Sequence, residues 1–157
     1  MKKVVIIADT HLRLGHFPSL INIMNEADYI ICAGDAEYDY YSILKEYGDK
    51  LIICRGNCDI GVDFEREIVT TIEGIRILIT HGHTLSVKSG LDKLYYRASE
   101  LDCTLAIYGH THIAETTKCE RITLVNSGAI YGHNPSYAYL TLHNGKFFLE
   151  TIYLNGK

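Results

Sequence analysis

Short apolar runs punctuate the first two thirds of the chain, and each is cut off by polar residues. Residues 4–8, 29–33 and 51–54 are such runs, four or five residues long, which is the length of a buried strand. Amphipathic stretches over about 18–26 and 38–47 separate them, and Pro18 suits a first helical turn, where a missing N–H costs nothing. This strand–helix–strand alternation predicts a parallel α/β sheet. The pattern then changes. Residues 66–72 and 75–80 flank Glu73-Gly74 and predict a hairpin, and a helix over about 91–101 precedes an apolar run at 105–108. The remainder reads as strands at 122–125, 137–143 and 146–154, the last two joined by Asn144-Gly145. Asn-Gly readily takes the left-handed backbone of a two-residue hairpin turn. Parallel strands early and antiparallel strands late predict two sheets, with helices on the outer faces and a hairpin-rich C-terminus.

Composition narrows the class. With 157 residues, 47% hydrophobic and 22% charged, the chain reads as a single domain over 1–157 that can bury a substantial core. Disorder and collagen-like repeats are excluded. A net charge of −4 gives no electrostatic pull toward nucleic acid or an anionic membrane. The five cysteines are scattered without a C-x-x-C pair, which suits reduced thiols and a cytoplasmic protein. The apolar run at 4–8 is too short for a signal peptide, and no run reaches the roughly 20 residues of a membrane span. Eight histidines stand out in a chain without tryptophan, and their placement carries the functional reading.

Five apolar runs lead straight into clusters of potential metal ligands: Asp9-Thr10-His11, Gly34-Asp35, Gly56-Asn57-Cys58-Asp59, His81-Gly82-His83 and Gly109-His110-Thr111-His112. Ligands of open α/β sheets bind beyond the carboxyl ends of the strands, so all five clusters can converge on one rim. In extended backbone, residues two apart share a side, which would point Asp9 with His11, and His110 with His112, at one ion. Glycine before Asp35, Asn57 and His110 allows sharp turns and close approach. Asp9, His11, Asp35, Asn57, His81, His110 and His112 together offer more side-chain donors than one catalytic zinc needs. Two ions about 3.5–4 Å apart would use them all, with a central carboxylate, best supplied by Asp35, as bridge. Nitrogen and oxygen donors suit manganese, zinc, iron, nickel or cobalt, with manganese taken first. A pair of such ions activates water for in-line displacement at phosphorus, so phosphate-ester hydrolysis leads the reaction classes.

In this order the motifs Asp-x-His, Gly-Asp, Gly-Asn, His-Gly and Gly-His-x-His resemble the calcineurin-like metallophosphoesterase superfamily. The short length and the Gly-Asn-Cys-Asp at 56–59 are similar to its small YfcE-type phosphodiesterase branch. The resemblance implies a four-layer α/β/β/α sandwich with two mixed sheets. It also implies that Asp9, His11 and His112 hold one metal, that Asn57, His81 and His110 hold the other, and that Asp35 bridges. The activity it implies is hydrolysis of a small phosphodiester by a metal-bridging hydroxide. Dimers or tetramers are common in such families. Two departures stand out. Ala8 and Leu12 flank the first motif where many relatives have Ser and Gly, and neither position supplies a ligand. Cys58 stands where many members carry a histidine that protonates the leaving oxygen or binds phosphate.

His83 is the substitute proton donor expected near the site, with Asp59 orienting the Asn57 loop or a water. Asn57, Cys58 and Arg13 are expected to touch substrate; for Arg13 and Arg55 as bidentate phosphate contacts, a solvated surface role is an equal competing reading. A nucleophilic Cys58 is disfavoured, since the chain shows no Cys-His-Asn arrangement. His16, His133 and His143 read as structural; His133 lies in a loop, and for it a place facing substrate is the minor reading. Tyr38, Tyr40 and Tyr41, at near-helical spacing, read as an apolar face. The competing readings are a non-catalytic metal-binding scaffold, since a retromer subunit shares this fold, and a phosphomonoesterase or protein phosphatase. All seven ligand positions being filled counts against the first. Cys58 and the small size count against the second.

Overall fold

The computed structural model describes residues 1–155. Ten strands and three helices follow one another as β1 (Lys2–Ile7), α1 (Pro18–Glu26), β2 (Tyr29–Cys32), α2 (Asp39–Tyr47), β3 (Leu51–Ile53), β4 (Glu67–Ile72), β5 (Ile75–Thr80), α3 (Asp92–Glu100), β6 (Leu105–Tyr108), β7 (Ala114–Cys119), β8 (Ile122–Ser127), β9 (Ser136–His143) and β10 (Lys146–Tyr153). They form two five-stranded sheets, ordered β10-β9-β1-β2-β3 and β4-β5-β6-β8-β7. Among the described residues no helix is long and apolar enough to cross a membrane.

Parallel and antiparallel strands do not divide between the sheets. In the first, β1, β2 and β3 run parallel, and the β9–β10 hairpin lies antiparallel against β1, with Val4 opposite Leu140. In the second, β5, β6 and β8 run parallel between the antiparallel edge strands β4 and β7. The reason lies in the burial pattern. Inner strands such as β6 and β8 are buried at every position, whereas the edge strands β7 and β10 have no fully buried residue. Strand β7 has no apolar run, because as an edge strand it gives few residues to the core; it is the element absent from the sequence reading.

Side-chain alternation on the strands builds the layers. Val4, Ile6, Ile31, Ile77, Ile79, Ile107, Val125 and Leu140 meet between the sheets in one cluster. On the outer face of the first sheet, Val5, Ile7, Ile30 and Cys32 receive Leu20 and Met24 of α1, and Ile43 and Tyr47 of α2. On the second, Leu78, Ala106, Tyr108 and Leu124 receive Leu94 and Ala98 of α3. Each helix thus docks through a buried pair four residues apart, one turn of one face. The result is the expected α/β/β/α sandwich. Tyr38 and Tyr41 depart from the apolar-face reading: both are exposed and stacked on each other, while Tyr40 packs against Phe64.

Ile107 sits fully buried on an inner strand between the sheets. Ile107→Ala is expected to lower stability by about 2–5 kcal/mol through lost burial and a residual cavity. Urea unfolding followed by circular dichroism measures it, and an unchanged midpoint would contradict this placement of the core.

Candidate metal centre

Both sets of parallel strands end at the same rim, and the polar clusters begin where they end. Asp9 follows β1, Asp35 follows β2, Asn57 follows β3, His81 follows β5 and His110 follows β6. The strand geometry expected for Asp9 and His11 does not hold, since β1 stops at Ile7. Asp9, His11, Asp35, His110 and His112 all have positive φ, between 41° and 71°. The side chains therefore converge through left-handed turns rather than through strand alternation. Asp and His tolerate that region better than most residues, and backbone strain of this kind gathers at functional sites. Close approach explains the glycines. A Cβ on Gly56 would run into the Asp35 carboxylate, and one on Gly109 would lie 2.9 Å from Asp9 Oδ2.

Asp9 is fully buried, and its Oδ2 accepts the His110 backbone N–H at 3.0 Å. Its Oδ1 is buried without a hydrogen-bond partner. Three imidazole nitrogens face that oxygen: His112 Nε2 at 3.3 Å, His81 Nε2 at 3.8 Å and His11 Nε2 at 4.0 Å. His11 Nε2 and His112 Nε2 are themselves 3.3 Å apart. Asp9, His11 and His112 make one trio of converging donor atoms, and Asp35, His81 and His110 make another.

In the second trio His81 Nδ1 donates to the Ala33 carbonyl at 2.8 Å, which turns Nε2 toward Asn57 Oδ1 at 3.1 Å and Asp35 Oδ2 at 3.2 Å. Burial works against charge on Asp35, but the His81 hydrogen bond and charge, with the Cys58 N–H, outweigh it and hold the carboxyl well below its ordinary value. Burial also opposes a proton on His81, yet Asp35 and Asp9 raise its pKa. A set of acceptor atoms held together by a proton on one imidazole is a set that fits a cation. At His112 the neighbouring Asp9 carboxylate likewise raises the pKa, whereas burial and the charge of His81 lower that of His110 to about 4.

The other expected residues divide. Asp59 is buried and supplies no donor atom to either trio. Its carboxylate accepts backbone N–H groups from Asp35 at 2.8 Å, Gly56 at 2.7 Å and Glu37 at 2.7 Å, tying two loops together. Cys58 lies beside Asn57, whose Nδ2 donates to its sulfur at 3.3 Å. Burial and the Asp35 charge push the Cys58 thiol up to about 11, so it is not a thiolate nucleophile at neutral pH. His83 opens a 3-10 turn and stacks 5.4 Å from the His81 ring. Its Nδ1 is buried without a partner, and burial, then the charges of His81, Arg66 and Arg55, lower its pKa. Arg13 is exposed and lines a neighbouring pocket with His16, Tyr131 and His133.

Sequence reasoning passed over four supporting residues. Glu37 Oε2 lies 3.3 Å from His11 Nδ1, the position of a carboxylate that orients a ligand imidazole. Asp39 accepts from the Thr10 hydroxyl at 2.7 Å and the Leu14 N–H, securing the loop after β1. Asn126 is buried and donates to Gly109 O and Thr111 Oγ1, both at 3.0 Å, securing the loop after β6. The Tyr131 ring meets those of His11 at 5.6 Å and His112 at 6.4 Å. Asn126 carried a signal, being polar directly after an apolar run. The other three did not.

Known proteins are similar to the chain in sequence and in fold. The probable metallophosphoesterase YsnB of Bacillus subtilis (strain 168) is 35% identical over 150 residues, covering 90% of this chain and 85% of that protein. Among solved structures, a predicted phosphoesterase of Streptococcus pneumoniae TIGR4 superposes with a TM-score of 0.79 at 21% identity, covering 99% of this chain and 91% of that one. Vps29 of Chaetomium thermophilum superposes with a TM-score of 0.81 at 20% identity, covering 98% of each chain. At such identities the structures share the fold. The family description that matches residues 1–145 is the calcineurin-like phosphoesterase superfamily domain. With its motifs at the strand ends of the sandwich and a His/Asp cluster suited to metal, the chain belongs to that superfamily.

Proposed function

We propose that this chain is a binuclear metal-dependent phosphodiesterase acting on small phosphodiesters in the cytoplasm, with manganese as the first metal to test. One observation carries the reading: Asp9 Oδ1 is buried, accepts no hydrogen bond and faces three imidazole nitrogens. In this reading Asp9, His11 and His112 hold one ion, Asn57, His81 and His110 hold the other, and Asp35 is shared. Two divalent ions there would supply an activated water and neutralise the phosphoryl oxygens. All five cysteines are free, which supports a reducing compartment.

The chain's own residues do the rest. Ala33 O fixes the His81 tautomer, and Glu37 fixes the His11 ring. Asn57 and Cys58 stand at the mouth of the second trio, where they would contact a phosphoryl oxygen. Water adds to phosphorus, one P–O ester bond breaks, and the departing oxygen takes a proton, leaving a monoester and an alcohol. His83, whose ring lies 5.4 Å from that of His81, is the imidazole that would pass that proton, but burial lowers its pKa and disfavours its protonated form. Leaving groups that depart as stable anions are therefore favoured.

Manganese-loaded protein is expected to hydrolyse bis(p-nitrophenyl) phosphate much faster than p-nitrophenyl phosphate or an alkyl monoester. Selective monoester hydrolysis would overturn the diesterase reading, and two bound ions without turnover would favour a scaffold. Asp35→Asn and His81→Ala are each expected to cost about 10²–10³-fold in kcat with an unchanged circular dichroism spectrum. Full activity in both would contradict the site.

Asp59 acts on the metal only through the loops it ties. Asp59→Asn is expected to weaken manganese binding by about 10–100-fold in a calorimetric titration. Wild-type affinity would show that the loops hold without it.

A further inference from the structure

A pocket of about 350 Å³ opens beside the first trio, within the roughly 300–1,000 Å³ range of small-molecule sites. Its polar lining is Arg13, His16 and His133, and its apolar lining is Phe17, Ile130 and Tyr131. Among the described residues no carboxylate lines it, in a chain whose net charge is −4. Arg13 makes no ion pair among the described residues, so its guanidinium is free to bind an anion in bidentate fashion. Tyr131 belongs to both places: its ring meets those of His11 and His112, and it lines the pocket.

Both walls are held in place. Arg13 donates its backbone N–H to Thr10 O at 2.8 Å, His16 donates to Arg13 O at 3.0 Å, and Leu14 between them is anchored to Asp39. Opposite, Ile130 donates to Ala8 O at 3.3 Å, Ser136 closes back on Ala129 O at 2.9 Å, and Asn155 Nδ2 donates to His133 O at 2.8 Å. Phe17 and Ile130 pack into the helix-side core and give the pocket its floor.

We propose that this pocket receives one ester arm of the substrate, and that the arm carries an aromatic ring and a second phosphate. The proposal rests on the phosphodiesterase reading and names the substrate class of that site. With phosphorus at the two trios, an ester arm directed past Tyr131 enters the pocket. A planar ring packs against Tyr131 and Phe17, and a terminal phosphate meets Arg13, with His16 and His133 as further donors. Nucleotide-like diesters have this chemistry, and simple alkyl diesters do not.

The test is calorimetric titration of manganese-loaded protein with adenosine 3′,5′-bisphosphate, adenosine and orthophosphate. The bisphosphate is expected to bind at least about tenfold more tightly than either of the others, as one further charge-assisted contact would give. Arg13→Ala is expected to remove about tenfold of that affinity while leaving orthophosphate binding unchanged, and His133→Ala to weaken the bisphosphate alone. Bisphosphate binding no tighter than orthophosphate, or equal in wild type and Arg13→Ala, overturns the proposal. Hydrolysis of bis(p-nitrophenyl) phosphate on the same samples separates the two readings. Turnover together with bisphosphate binding that does not depend on Arg13 discards the pocket and keeps the enzyme. Arg13-dependent binding without turnover keeps the pocket as a ligand site and discards the hydrolase.

Discussion

Asp9 is fully buried, and of its two carboxylate oxygens only Oδ2 receives a hydrogen bond. An ionised group taken out of water costs several kcal/mol unless charge or hydrogen bonds replace the lost hydration. Around Oδ1 stand three imidazole nitrogens, and among the described residues none makes a hydrogen bond to it. Such an arrangement fits a cation. Much else at this rim serves that requirement: left-handed turns aim the side chains inward, and glycines at 56 and 109 let backbone pass close to the carboxylates.

The loops that carry these turns have little regular structure, and buried polar side chains hold them instead. Asp59 ties the loops after β2 and β3, Asp39 the loop after β1, and Asn126 the loop after β6. Each satisfies backbone groups that loops leave unpaired in the interior. The seven candidate ligands thus depend on a second set of residues that touch no metal position. Those residues decide whether the donors stand within reach of one another.

A fold of this kind does not fix an activity, since one scaffold serves unrelated roles and the chemistry lies in the site. Here the expected donors gather at one rim, and Cys58 stands where the resemblance implies a histidine acting on the leaving oxygen. Its thiol, pushed up to about 11 by burial and Asp35, is a poor source of protons and of nucleophile alike. That single substitution shapes the expected preference for good leaving groups. The pocket of Arg13, His16 and His133 offers a second place for discrimination, away from the reacting bond.

The sequence by itself determined the buried strands, the helices and the places where the chemistry begins. Apolar runs and their polar stops are local features, and burial on both faces of an inner strand demands an uninterrupted run. Helix α1 and strand β6 fall where periodicity puts them, and Asn144-Gly145 turns as its left-handed preference requires. Edge strand β7 escaped because a half-exposed edge needs no apolar run. Only the tertiary structure decided how strands divide between sheets, since β9 pairs with β1 across more than a hundred residues of chain. It alone gathered Asp9 and His112, or His11 and Tyr131, into contact. Glu37 and Tyr131 were illegible for the same reason: their roles follow from loop conformations with positive φ and from long-range packing, and neither leaves a periodic trace in the sequence.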